Sequence, residues 1–188
     1  MKIAVFLTVA LVSLMMSPVY AQYRYDQSAA AYGGDDDVDS AKSLWGALAR
    51  EHLVGSKVIH STPYQGVHPH GAVLETLDAV VNVDGHTGAV IVKRNYGGSG
   101  ASKTTVATNP ERYLRAITVM FKRERGYDAD NKDWFWVQYS PSGEVVKDMQ
   151  GRALAGRVAK DSQTEGCIAC HKSAPGGDYV FNHDRYAR

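Results

Sequence analysis

The chain has 188 residues, with 21 Lys and Arg set against 20 Asp and Glu for a formal charge of +1. That balance gives no sign of a nucleic-acid or membrane-surface partner, and neither is expected. At this length the chain can bury a sizeable core.

Lys2 is followed by an apolar run to Met16, and Val19 and Ala21 place small side chains at the −3 and −1 positions of a cleavage site. Residues 1–21 therefore read as a secretory signal peptide, with Gln22 the first mature residue. No cysteine follows the run, which argues against lipid anchoring, and no later stretch approaches the ~20 apolar residues of a membrane span. The expected product is a soluble periplasmic protein without membrane insertion. Residues 22–39 are poor in large aliphatics and end in a Gly-Gly-Asp-Asp-Asp run, which reads as a flexible leader. Residues 40–188 form a single domain.

Ser40 is the expected N-cap of a helix through about Leu53, with Leu44, Trp45, Leu48 and His52 at helical spacing. Residues 55–71 read as loop. Two strands follow, at 72–83 and 89–96, joined across Asp84-Gly85, a strong hairpin signal. Alternation places Ala89, Ile91 and Lys93 on one face of the second strand and Arg94 on the other. Residues 116–121 and 134–139 are a third and a fourth strand. The Ser140-Pro-Ser-Gly143 turn extends the fourth into a hairpin over 134–147. A short helix surrounds Cys167–Lys172. The class is α+β: a β-sheet with an N-terminal helix and a short C-terminal one.

The chemistry lies in that last helix. Cys167, Cys170 and His171 form Cys-x-x-Cys-His, the attachment signature of c-type haem in an exported chain. Two thiols join the two vinyl groups on one porphyrin edge, and the adjoining histidine binds the iron. A disulfide, a redox dithiol or half a zinc site are the rival readings, though no second cysteine pair exists to complete the last. One haem c on Cys167 and Cys170, with His171 proximal, is the reading favoured. No methionine follows His171. Upstream, Met120 lies in an apolar strand and Met149 in a polar loop, so an open or water-occupied distal iron is expected. His70, or its neighbour His68, could overhang that face as a distal group, and His183 could pack at the haem edge. His52, His60 and His86 have no support beyond composition. Trp134, Phe135 and Trp136 read mainly as core.

Three segments together resemble the cytochrome P-460 family and its relative cytochrome c prime beta. Residues 88–93 look like the family strand ending in Val-Lys, 133–139 like its aromatic strand, and 165–171 like its haem segment. The resemblance implies a mostly antiparallel β fold, often dimeric, so a homodimer is an expected assembly, around one five-coordinate haem. It implies that Lys93 matches the lysine that cross-links to the porphyrin in enzymes that oxidise hydroxylamine and pass electrons to a small cytochrome acceptor. The prime-beta relatives lack that bond and bind gases such as nitric oxide. One departure stands out. The position expected for a distal acid falls near Thr118, leaving Glu75, Asp78 or Asp133 as substitutes. The expected activity is oxidation of hydroxylamine or a related small nitrogen oxide, with gas binding and simple electron transfer as alternatives.

Overall fold

The computed structural model describes residues 32–181. The signal peptide, most of the leader and His183 lie outside the described residues. Helix α1 spans Asp35–Arg50, and six strands follow: β1 Tyr64–Gln65, β2 Val73–Val83, β3 His86–Tyr96, β4 Leu114–Lys122, β5 Trp134–Tyr139 and β6 Ala155–Gly156. Short helices α2 (Lys103–Thr108) and α3 (Pro110–Tyr113) sit between β3 and β4, and α4 (Cys167–His171) carries the haem motif. The strands form one sheet in the order β1-β2-β3-β4-β5-β6, every neighbouring pair antiparallel. The fold is α+β, as expected.

Helix α1 begins five residues before Ser40, so the last part of the expected leader is helical. Gly34 is its N-cap, and Asp35, Asp36 and Asp37 fill the first turn. Acidic side chains there meet the positive end of the helix dipole, and Asp37 also accepts from the Gly33 N–H at 2.9 Å. The helix ends at Arg50 rather than Leu53, and His52 is left-handed at φ 58°. The β2–β3 hairpin starts at His86 rather than Ala89. Asp84 (φ 49°) and Gly85 (φ 89°) both adopt the positive φ of a type I′ turn, which pairs Val83 directly with His86. The hairpin expected over 134–147 is only partly formed. Tyr139 bridges Val145, but the strand beside β5 is β6.

Side-chain alternation divides the sheet into two faces. One packs on α1, whose Ala41, Leu44 and Leu48 meet Val90, Val92, Ile117, Val119 and Phe135. Tyr139 fastens this layer by donating from its hydroxyl to the Ala41 carbonyl at 2.6 Å. Arg94 points to the same face, opposite to Lys93, as alternation requires. It donates to the Leu53 carbonyl at 2.7 Å, the Ile59 carbonyl at 3.1 Å and Glu75 Oε2 at 3.3 Å. Tyr96 donates to the same carboxylate at 2.7 Å. Glu75 and Arg94 are only 2% and 3% exposed. Removing one partner strands a buried charge, which costs about 3–5 kcal/mol. Arg94→Ala is therefore expected to lower unfolding stability by about that amount in denaturant titration, while the optical spectrum of any folded holoprotein stays unchanged. A spectral change with no loss of stability would assign Arg94 to the haem face instead.

Candidate haem site

The opposite face of the sheet, through Ile91, Met120, Trp134 and Trp136, packs on Ile168, Tyr179 and Val180 of the C-terminal segment. Helix α4 is anchored here by Ile168, which is 0% exposed, and His171, one turn on, is buried beside it. Cys170 faces solvent and Cys167 is half-buried. The two thiols are not joined to each other. Burial pushes the Cys167 thiol up to about 11. Among the described residues no group of three or more His, Cys, Asp or Glu side chains could hold a metal ion, so no zinc site is completed around this pair, and the partly covered Cys167 has little access for thiolate chemistry. An uncharged thioether suits it.

His171 is oriented by its own C-terminal tail. Its Nδ1–H donates to the Tyr179 carbonyl at 2.7 Å, leaving the Nε2 lone pair for a metal. Tyr179 holds a left-handed φ of 69°, a strained conformation that persists only where its surroundings fix it. Those surroundings are on hand: Trp134 Nε1 donates to the neighbouring Asp178 carbonyl at 2.9 Å, and the Tyr179 ring belongs to the Trp136 cluster. Trp136 meets the His171 ring edge-on at 4.7 Å between centroids, and Phe181 does so at 5.3 Å. Burial is the main cause that pushes the His171 pKa down to about 4. The Tyr179 hydrogen bond opposes it, and the charge of Lys93 adds to it. His171 is thus neutral near pH 7, the form a metal needs.

Lys93 is 7% exposed. It lies on β3 between Thr76 of β2 and Thr118 of β4, on the face it shares with Ile91 and Asn95. Ala89, expected on the pocket wall, is exposed, because it lies nearer the hairpin tip, paired with the exposed Val80.

His70 reaches the same region from the loop between β1 and β2. Its ring stands 6.0 Å from that of His171, with the planes at 88°. Its Nδ1 lies 3.5 Å from Thr118 Oγ1, and Asn95 Nδ2 donates to that same oxygen at 3.3 Å. Burial, then Lys93, then His171 push its pKa down to about 4. His68 is exposed.

The remaining candidates fall elsewhere. Glu75 is committed to Arg94 on the α1 face, so alternation removes it as a distal acid. Asp133 Oδ1 accepts the Gly126 and Asp128 N–H groups at 3.2 and 2.8 Å, a turn-capping role. Asp78 is exposed. His60 bonds Glu75 at 3.1 Å, His86 contacts the Lys122 carbonyl at 3.0 Å, and Met149 is 97% exposed. Met120 packs in the cluster around Trp136. Asn95 and Trp136 were not singled out as polar site groups by sequence. Their signal was present in part, since both alternate onto the face of Lys93 and Met120.

A family model for Cytochrome P460 matches residues 58–182. The chain belongs to the cytochrome P460 family. No curated protein and no solved structure matches it. P460 proteins are c-type haem proteins, and Cys167 and Cys170 are consistent with that attachment. The residues present fit the group. The site combines an oriented neutral imidazole, a flanking thiol pair and aromatic walls. In addition, Trp136 Nε1 is buried on this face with no hydrogen-bond partner, as groups facing a bound ligand or water are. Among the described residues no helix is long and apolar enough to cross a membrane.

Replacing His171 tests attachment and ligation separately in this P460 chain. His171→Gly is expected to keep haem on the polypeptide through acid–acetone extraction while losing the axial nitrogen. Added imidazole is expected to restore the wild-type optical spectrum. Complete extraction of the haem would remove the thioether assignment of Cys167 and Cys170.

Proposed function

We propose that this P460 protein is an exported mono-haem c oxidoreductase. It takes hydroxylamine, or a related small nitrogen oxide, on the side of the iron opposite His171 and passes the electrons to a small cytochrome. The observation that carries the reading is Lys93: a lysine held almost out of water, on the face that packs against the Cys-x-x-Cys-His helix, with its charge felt by His171.

Haem bound there supplies one-electron redox chemistry and an axial position for a small ligand. The chain's own groups do the rest. His171 holds its Nε2 toward the metal through the Nδ1–H bond to Tyr179. Trp136 and Phe181 keep water from the proximal imidazole. Lys93 brings its amine to the face that would meet the macrocycle, between Thr76 and Thr118. Thr118 and Asn95 offer short polar side chains that can hydrogen-bond a small nitrogen ligand, and His70, neutral near pH 7, can accept a proton that such a ligand gives up. Cys170 is exposed, so one end of the attachment helix is open to a protein acceptor. The apolar run of residues 1–21, read as a signal peptide, supports export.

A second reading is a gas-binding cytochrome without turnover. It is favoured by Thr118, which stands opposite Lys93 where a proton-accepting carboxylate would serve the oxidation. Two measurements on purified holoprotein separate the readings. The enzyme reading expects hydroxylamine-dependent reduction of a small cytochrome and, after proteolysis, a haem that carries both the Cys167–Cys170 peptide and the peptide containing Lys93. Nitric oxide binding without hydroxylamine turnover, and a haem peptide joined at the cysteines alone, would replace it with the gas-binding reading.

A further inference from the structure

The connection between β4 and β5 is tied to both flanks of the haem motif. Upstream of the motif, Lys160 donates from Nζ to Asp128 Oδ1 at 2.6 Å, and Arg157 donates to the Tyr127 carbonyl. Downstream, the Tyr179 hydroxyl is shared between Asn131 Oδ1 at 3.3 Å and the Asp130 carbonyl at 3.4 Å. Tyr179 is also the residue whose carbonyl accepts the His171 Nδ1–H at 2.7 Å. One tyrosine therefore joins a turn far from the motif in sequence to the imidazole within it.

That turn is rigid. Around the 3-10 turn Ala129–Asn131, the Asn131 and Asp133 N–H groups both donate to the Asp128 carbonyl at 2.9 Å, and Asp133 Oδ1 accepts from the Asp128 N–H in return at 2.8 Å. Asp128 and Asn131 are both buried. A carboxylate paired with an ammonium can only accept, so its second oxygen must meet the nitrogen of the Asn131 amide. Asn131 Nδ2 does donate to Asp128 Oδ2, at 2.8 Å. This settles which way the amide points, leaves Oδ1 for Tyr179 and makes the tyrosine hydroxyl the donor. Lys160, Asp128, Asn131 and Tyr179 form one chain of ammonium, carboxylate, amide and hydroxyl.

Tyr179 depends on that hold. Its left-handed φ of 69° persists only while its surroundings fix it. Trp134 fixes the preceding carbonyl and Trp136 flanks the ring at 6.4 Å between centroids. The hydroxyl is the remaining end, and Asn131 holds it.

We propose that Asn131 is a positioning residue for the proximal imidazole. Backed by Asp128 and Lys160, it holds Tyr179 so that its carbonyl takes the His171 Nδ1–H bond, and through that bond it sets the reduction potential of the haem. An acceptor on Nδ1–H makes the ligating nitrogen more basic, which favours ferric iron. Weakening the bond must therefore raise the potential. The role rests on the haem attachment at Cys167 and Cys170 proposed above, but not on hydroxylamine as the substrate.

The test uses purified holoprotein, with the attached haem first counted by mass. Asn131→Ala is expected to raise the ferrous-to-ferric ratio about tenfold at a fixed applied potential, a shift of ~59 mV for one electron. The ferrous iron–imidazole stretching band in resonance Raman spectra should move to lower frequency. Tyr179→Phe deletes one oxygen and leaves the ring packed, so it keeps the question open to measurement should Asn131→Ala fold poorly. It is expected to shift both readouts the same way and at least as far. The double variant should go no further than Tyr179→Phe alone, since both changes break one chain. Arg94→Ala is the control for stability alone: it should lower stability and leave the potential in place. Loss of stability in Asn131→Ala and Tyr179→Phe with potential and Raman band unmoved would overturn the positioning role while the attached haem still stood. Fully additive shifts in the double variant would overturn the route through the hydroxyl. A chain carrying no covalent haem would overturn the attachment reading beneath it.

Discussion

Strand β3 must satisfy two unlike environments with alternate residues, and the rest of the molecule follows from that constraint. Val90, Val92 and Arg94 face helix α1, while Ile91, Lys93 and Asn95 face the haem-motif helix. A strand buried on both sides normally reads as continuous apolar sequence. Here the two charged residues are adjacent, so they diverge. Arg94 finds Glu75 and two backbone carbonyls on its side. Lys93 is left on the side where a macrocycle would lie. The cross-strand pairing of Glu75 with Arg94 also fixes the register of β2 against β3. A slip of β2 by one residue would carry Glu75 to the face opposite Arg94 and strand both charges.

Most of the sheet was legible in sequence because its signals are local. Alternating Val, Ile and Thr runs, an Asp-Gly turn and an aromatic strand each specify themselves within a few residues. The start of α1 was misread for a related reason. Asp35, Asp36 and Asp37 look like a solvated tail by composition, yet three carboxylates are well placed in the first turn of a helix. Helices α2 and α3 left no long periodic pattern to find, being six and four residues long. The weak hairpin after β5 shows the limit of turn chemistry. Ser140 to Gly143 does turn the chain, but residues from further along, Ala155 and Gly156, take most of the hydrogen-bonding edge.

The site was legible in its covalent part and illegible in its spatial part. The Cys167, Cys170 and His171 motif states its chemistry through spacing alone. The exclusion of Glu75 could have been foreseen from alternation, since it shares parity with Val73 and Leu77 rather than with Thr76. The acceptor for His171 is a main-chain carbonyl, which no side-chain pattern announces. The approach of His70 depends on a loop pinned by backbone hydrogen bonds to β3, so its position is a property of topology.

The loop that carries His70 belongs to neither core. Its anchors are main-chain groups at the sheet edge, and its outward residues Val67, His68 and Pro69 are exposed. Natural variation there can exchange the residue at position 70 without disturbing a single packed side chain on the α1 face. In evolutionary terms, the reactivity of the haem and the stability of the scaffold are free to drift apart. One sheet can then stay a constant frame while the side chains presented beside His171 change, a difference written into a handful of surface-loop codons.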